Sequence, residues 1–173
     1  MNPRTNILLA VDVTPGDPLR HVSAAVEMTR ELIRHDADQV VVLHVREFSI
    51  ARLGRMMTDG GGADGAHAVH AVVSALRADG IRACGQCREA DIGHVAQTIL
   101  HAAREFDARV IVLGSRSQTD LPRNPVGSVA EHLLHQSTVP VLIVPRAELS
   151  SARPAVTRGR RRPGRWRGAR SAA

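Results

Sequence analysis

Two rhythms of apolar positions alternate along this chain. Ile7 to Asp12 (ILLAVD) is a short apolar run closed by an acid, and Val40 to Val45 is a second. Further runs cover Ile81 to Arg88, Arg109 to Leu113 and Val139 to Val144. Runs of this length, rich in Val, Ile and Leu, predict strands buried on both faces. Between them the spacing changes to that of amphipathic helices. Leu19 to Arg34 places Leu19, Val22, Val26, Leu32 and Ile33 at helical intervals, and Ala66 to Ala78 gathers Val69, Val72, Val73 and Leu76 on one face. Asp79-Gly80 closes that second helix. A third helix is predicted over Ile92 to Phe106 with Asp91 as its N-cap, and a fourth over Ser128 to His135. Phe48 to Gly65 reads as irregular, ending in the glycine-rich loop DGGGADG.

Strictly alternating strands and helices predict a parallel sheet with helices on both faces. Right-handed crossovers make it doubly wound and Rossmann-like, with strand order 3-2-1-4-5 as the expected arrangement. Ligands bind such sheets at the carboxyl ends of the strands where the winding reverses, here between strands one and four. Asp12 ends the first and Gly114 the fourth, so the two are expected to flank one crevice. After Gly114 comes a polar, proline-containing loop, and Gly127-Ser128 then opens the fourth helix. The first turn of a helix carries unpaired N–H groups and the positive end of its dipole, which suits a phosphate. Gly127 permits close approach to the backbone and Ser128 adds a hydroxyl.

Composition narrows the chemistry. The chain has 173 residues, enough for one domain with a sizeable core, and only two Phe, one Trp and no Tyr. Phe48, Phe106 and Trp166 are too scattered to form a base-stacking platform. All 23 basic residues are Arg, which excludes a lysine phosphate loop, a Schiff base and a lysine general base. The net charge of +6 is unevenly spread: residues 1–152 carry 15 Arg against 17 acids, and residues 153–173 carry 8 Arg and no acid. The apolar run after MNPRTN is strand length, too short for a signal-peptide core or a membrane span, which leads to the expectation of a cytoplasmic protein with reduced cysteines.

The residues at the strand ends resemble those of the universal stress protein family. Its pattern is an Asp closing strand one, a His-Val ending strand two, and Gly-x-x-Gly-x9-Gly-Ser/Thr after strand four. Here these stand as ILLAVD, as His44-Val45 in VVLHV, and as GSRS-QTDLPRNPV-GS, followed by the final strand VPVLIVP. The resemblance covers about residues 4–146. It implies an ATP site in which Asp12 and Val13 lie near ribose and adenine and the Val45 backbone meets the adenine edge. Gly114, Ser117, Gly127, Ser128 and Val129 would cradle the phosphates, with Mg²⁺ held beside them by Asp12. The chain departs from the pattern at Ser117, where the family has its second glycine. A side chain there weakens the site if the position needs φ > 0 or has phosphate packed on its Cα.

Other candidate chemistry is weaker. Cys84-Gly-Gln-Cys87 lies in or at the end of strand three, where residues three apart point to opposite faces, and no second pair completes a zinc site. His67/His70 and His132/His135 are spaced three apart on helices but lack an obvious third ligand, so no metal site is expected. His44 reads as a partly buried strand histidine. Ser128 has no nucleophile elbow around it, and a non-enzymatic, regulatory stress-response protein is expected. Slow nucleotide hydrolysis and a nucleotide-free dimeric interaction module are the alternatives. The expected domain spans 1–146. Residues 147–173 are expected to be a disordered Arg-rich tail, suited to non-specific contact with nucleic acid or an anionic surface. An apolar edge strand at Val139 to Val144 leads to the expectation of a homodimer.

Overall fold

A parallel five-stranded sheet in the order β3-β2-β1-β4-β5 organises the molecule. The computed structural model describes residues 6–12, 23–34, 38–48, 61–115 and 127–145. The elements are β1 (Asn6–Ala10), α1 (Ser23–Leu32), β2 (Gln39–Phe48), α2 (Gly61–Ala78), β3 (Arg82–Asp91), α3 (Val95–Glu105), β4 (Ala108–Gly114), α4 (Ser128–Gln136) and β5 (Val141–Val144). The strand order and alternation are those the apolar rhythm predicts. β1 pairs with β2 from Asn6↔Gln39 to Ala10↔Leu43, and with β4 up to Ala10↔Leu113, so the winding reverses between β1 and β4.

Period-two alternation along each strand divides the core in two. Ile7, Leu9, Val11, Val40, Val42, Val110 and Val112 face α1 and α2 and pack with Val26, Val69, Val72 and Leu76. Leu8, Val41, Leu43, Ile111 and Leu113 face α3 and α4, meeting Ile99, Leu100 and Leu133. No aromatic is among the buried members of either cluster, though Phe106 packs against the second from its edge; aliphatic residues fill the space, many of them fully buried.

Several boundaries differ from the sequence reading, each for a local reason. Five of the seven residues of the expected glycine-rich loop are helical, since α2 begins at Gly61 and not at Ala66. Asp64 in its first turn complements the helix dipole. Gly65 allows the helix to approach β2 closely, and a Cβ on Gly85 would come 2.5 Å from Cγ1 of Val69, so a second glycine seats α2 on β3. β2 and β3 stay paired through Phe48↔Asp91, which makes β3 run past Arg88 to Asp91. Asp91 is therefore a strand residue and not the cap of α3. Gly93 turns the chain with φ +83°, its amide donating to Oε1 of Glu47 at 3.0 Å, and α3 starts at Val95 with His94 as N-cap. β5 is shorter than expected, starting at Val141. Leu19 and Val22 of the expected first helix lie outside the described residues.

At the amino ends of the strands several polar groups are paired within the chain. The Asp38 carboxylate is buried and accepts from the Arg34 amide at 3.0 Å, with Nη2 of Arg109 at 3.5 Å. The same guanidinium nitrogen donates to the carbonyl of Leu32, the last residue of α1, at 2.6 Å. The Asn6 side-chain amide donates to the Phe106 carbonyl at the end of α3. These bonds occupy helix carbonyls that have no intrahelical partner.

Candidate functional site

The opposite end of the sheet carries the candidate site. β1 and β4 are neighbours, so the chain leaving Ala10 and the chain leaving Leu113 emerge side by side. Asp12 follows β1 and is exposed; Gly114 ends β4 and is half-buried. The sheet holds on one residue longer on the other side, where the Ser115 amide donates to the Val144 carbonyl at 2.8 Å. A crossover helix runs antiparallel to its strands, so α4 begins at this same end.

Gly127 is the N-cap of α4, with φ +87° and ψ 147°, and as a glycine it brings no capping side chain of its own. That backbone region is one side chains rarely adopt, and glycine is what the turn requires. Among the described residues nothing lies within 4 Å of where its Cβ would stand. Its carbonyl accepts the first helical bond, from the Glu131 amide at 2.9 Å. Ser128 is exposed, Val129 is half-buried in the α3/α4 core, and Ala130 and Leu133 anchor the helix to the sheet. The first turn of α4 is thus fixed at the end of the sheet where β1 and β4 finish.

Val45 is half-buried on β2, beside the end of β1. Of the eight sequence-predicted site residues, Asp12, Val45, Gly114, Gly127, Ser128 and Val129 all fall at this end of the sheet. Val13 and Ser117 lie outside the described residues, as do all of residues 116–126. The donor set fits a phosphate: a helix N-terminus opened by a positive-φ glycine, with a hydroxyl beside it. It fits Mg²⁺ through one carboxylate, since that ion is commonly bound by one or two carboxylates together with substrate phosphates. No group of three or more His, Cys, Asp or Glu that would hold a metal by itself occurs among the described residues.

His44 is the residue whose role the sequence did not reveal. It is buried, and its Nδ1 lies 3.1 Å from the Val11 carbonyl. The signal lies in Gly65, far away in the sequence, and has no periodicity to betray it.

The remaining candidates separate as their strand and helix positions require. Cys84 and Cys87 are both free. Cys84 packs on the α3 side with its Sγ 3.2 Å from Nε2 of Gln39, while Cys87 is exposed on the other face. His67, His70 and His135 are exposed, and Nε2 of His132 lies 3.2 Å from Nε2 of Gln97.

A doubly wound domain with a glycine-opened helix at its switch point is a recurrent frame for phosphate ligands. The comparison with known families is more specific. The model of the universal stress protein family matches residues 3–145, and the chain belongs to that family. A universal stress protein of Mycobacterium tuberculosis strain H37Rv is 44% identical over 52 residues, a match covering 30% of this chain and 18% of that protein. The chain thus spans under a fifth of the curated relatives it matches. Among solved structures, a universal stress protein from Archaeoglobus fulgidus superposes with a TM-score of 0.65 at 21% identity, covering 81% of this chain and 98% of that one. The Archaeoglobus protein in complex with dAMP gives 0.59 at 22% identity, covering 81% and 97%. An Arabidopsis thaliana family protein with AMP bound gives 0.59 at 18% identity, covering 82% and 92%.

Proposed function

We propose that this chain is a non-enzymatic, cytoplasmic regulatory protein of the stress response that binds ATP or another adenine nucleotide at the carboxyl ends of β1 and β4. The observation that carries this reading is Gly127: a glycine at φ +87° opens α4 at the end of the sheet where β1 and β4 finish. In this reading Gly114, Ser117, Gly127, Ser128 and Val129 hold the phosphates, Asp12 and Val13 lie near ribose and adenine, and Val45 offers its backbone to the base. The dAMP and AMP bound by two structural neighbours support the ligand class. Mg²⁺ would be held by Asp12 and phosphate oxygens, neutralising charge where all the cations of the chain are Arg. Among the described residues this end of the sheet offers backbone amides, the Asp12 carboxylate and the Ser128 hydroxyl, a set that binds phosphate and offers no activated nucleophile. No helix among the described residues is long and apolar enough to cross a membrane.

Nucleotide occupancy would act on partners through a homodimer. β5 is an edge of the sheet, and its Val141, Leu142 and Ile143 are half-buried apolar residues. A second copy pairing along this edge would cover them. The same edge favours the second reading, a dimeric interaction module that needs no nucleotide. The eight Arg of residues 153–173, which lie outside the described residues, would add an electrostatic arm for nucleic acid.

Mass spectrometry of nucleotide extracted from the purified protein, followed by calorimetric titration with ATP and AMP with and without Mg²⁺, tests the proposal. Co-purified or saturably bound adenine nucleotide is the expected result. A protein that carries none and binds none leaves the dimeric module as the function.

A further inference from the structure

Where β1 leaves the sheet, its last bond to β2 is made by a side chain. The Val11 amide donates to the Leu43 carbonyl at 2.8 Å, one step beyond the last β1–β2 pair. In a parallel ladder the next bond would run from the Val45 amide to the Val11 carbonyl, because residues two apart on a strand present N–H and C=O to the same neighbour. The Val11 carbonyl instead lies 3.1 Å from Nδ1 of His44. A carbonyl only accepts, so the bond requires the proton on Nδ1. His44 is 8% exposed, and its ring is backed by α2, where a Cβ on Gly65 would come 2.5 Å from its Nε2. The strand, the helix and the end of β1 therefore meet at one imidazole.

We propose that His44 is a positioning residue of the nucleotide crevice. Its ring takes the place of the Val45 amide as donor to Val11. β1 can then part from β2 without leaving a buried carbonyl unpaired, and the segment that begins at Asp12 starts from a fixed point. The Val45 amide, turned by strand parity toward the gap beyond Val11, is kept for the base of the nucleotide. Gly65 is the complementary feature, since any side chain there drives the ring off the carbonyl. The role assigned to Val45 rests on the nucleotide-binding reading; the bond itself does not.

The experiment has two arms, both on the full chain. In the first, ¹⁵N NMR of the nucleotide-free wild type reads the His44 tautomer near neutral pH, and amide exchange compares Val45 with Val42. A proton on Nδ1 and a Val45 amide exchanging far faster than that of Val42 are expected. A neutral ring protonated on Nε2, or a Val45 amide as protected as its neighbours, overturns the proposal even if the protein binds nucleotide. In the second, AMP affinity and thermal midpoint are measured for His44→Leu, His44→Asn and Gly65→Ala. Losing a bond that fixes the site should weaken AMP roughly tenfold in His44→Leu and Gly65→Ala. His44→Asn carries a donor near the position of Nδ1 and should restore most of that affinity. If His44→Leu binds AMP as well as wild type, or if Asn rescues the midpoint but not the affinity, His44 has only a packing role. If wild-type protein binds no adenine nucleotide at all, the functional reading fails, and the first arm still decides whether His44 holds Val11.

Discussion

The two ends of this sheet treat exposed backbone in opposite ways. At the amino ends of the strands, the carbonyls that close α1 and α3 are taken by Arg109 and Asn6, and the buried Asp38 gathers the Arg34 amide and the Arg109 guanidinium. At the carboxyl ends, α4 begins on a positive-φ glycine that brings no side chain of its own, and Asp12 and Ser128 are exposed. Pairing of helix termini within the chain stabilises the fold. Termini turned outward at a switch point are suited to a ligand. Stability and binding should therefore respond to mutations at different ends.

The largest expected effect is on stability, at the amino end. Arg109→Leu removes the cation beside Asp38, whose side chain is 2% exposed, and leaves the Leu32 carbonyl without its donor. Loss of one partner of a buried pair should cost about 3 kcal/mol, read as a lower urea midpoint. Nucleotide affinity, measured well below that midpoint, should stay at the wild-type value; a parallel loss of affinity would erase the distinction between the ends.

At the other end the order reverses. Gly127→Val forces a branched side chain into φ +87°, and its methyls occupy the space over the first turn of α4. ATP affinity should fall roughly a hundredfold or more, while backbone strain costs about 1–2 kcal/mol of stability. Wild-type affinity in this variant would remove the α4 terminus from the site. Ser117→Gly restores the family's glycine and should strengthen ATP binding by roughly tenfold, again by calorimetry. No gain would mean that Ser117 is not what limits the site.

The smallest effect expected on the folded unit is that of removing the Arg-rich segment. Truncation after Arg146 should leave the urea midpoint unchanged, because that segment carries too little apolar surface to offset its own ordering. The same truncation should abolish nucleic-acid binding, which in the full chain falls steeply with salt. Binding that survives truncation would place the interaction on the α/β domain.

Much of this was legible in the sequence because the signals are local. Val/Ile/Leu runs separated by helical spacing define a doubly wound sheet almost by themselves, and the observed order follows. Asp12, Gly114 and Gly127 stand out as candidate site residues because acids and glycines at strand ends and helix starts mark the switch point of such a fold. The misread boundaries are places where a distant partner overrides local preference. Asp91 is a good helix cap in isolation, yet its pairing with Phe48 keeps it in β3. Gly61 to Gly65 favours a loop by propensity, at about 1 kcal/mol per glycine relative to alanine in a helix, but Gly65 is needed where α2 meets His44. His44 itself could not be assigned, since its partner Val11 is 33 residues away and the bond replaces one that a regular ladder would have made.

The most direct measurement is a map of amide shifts as ATP is titrated into the labelled full chain. Saturable changes should appear at Asp12, Val45, Gly114, Gly127, Ser128 and Val129, with Asp38, Arg109 and the end of α1 unmoved. Absence of any saturable shift, or shifts centred on the Asp38–Arg109 end, would contradict a nucleotide site at the carboxyl ends of β1 and β4.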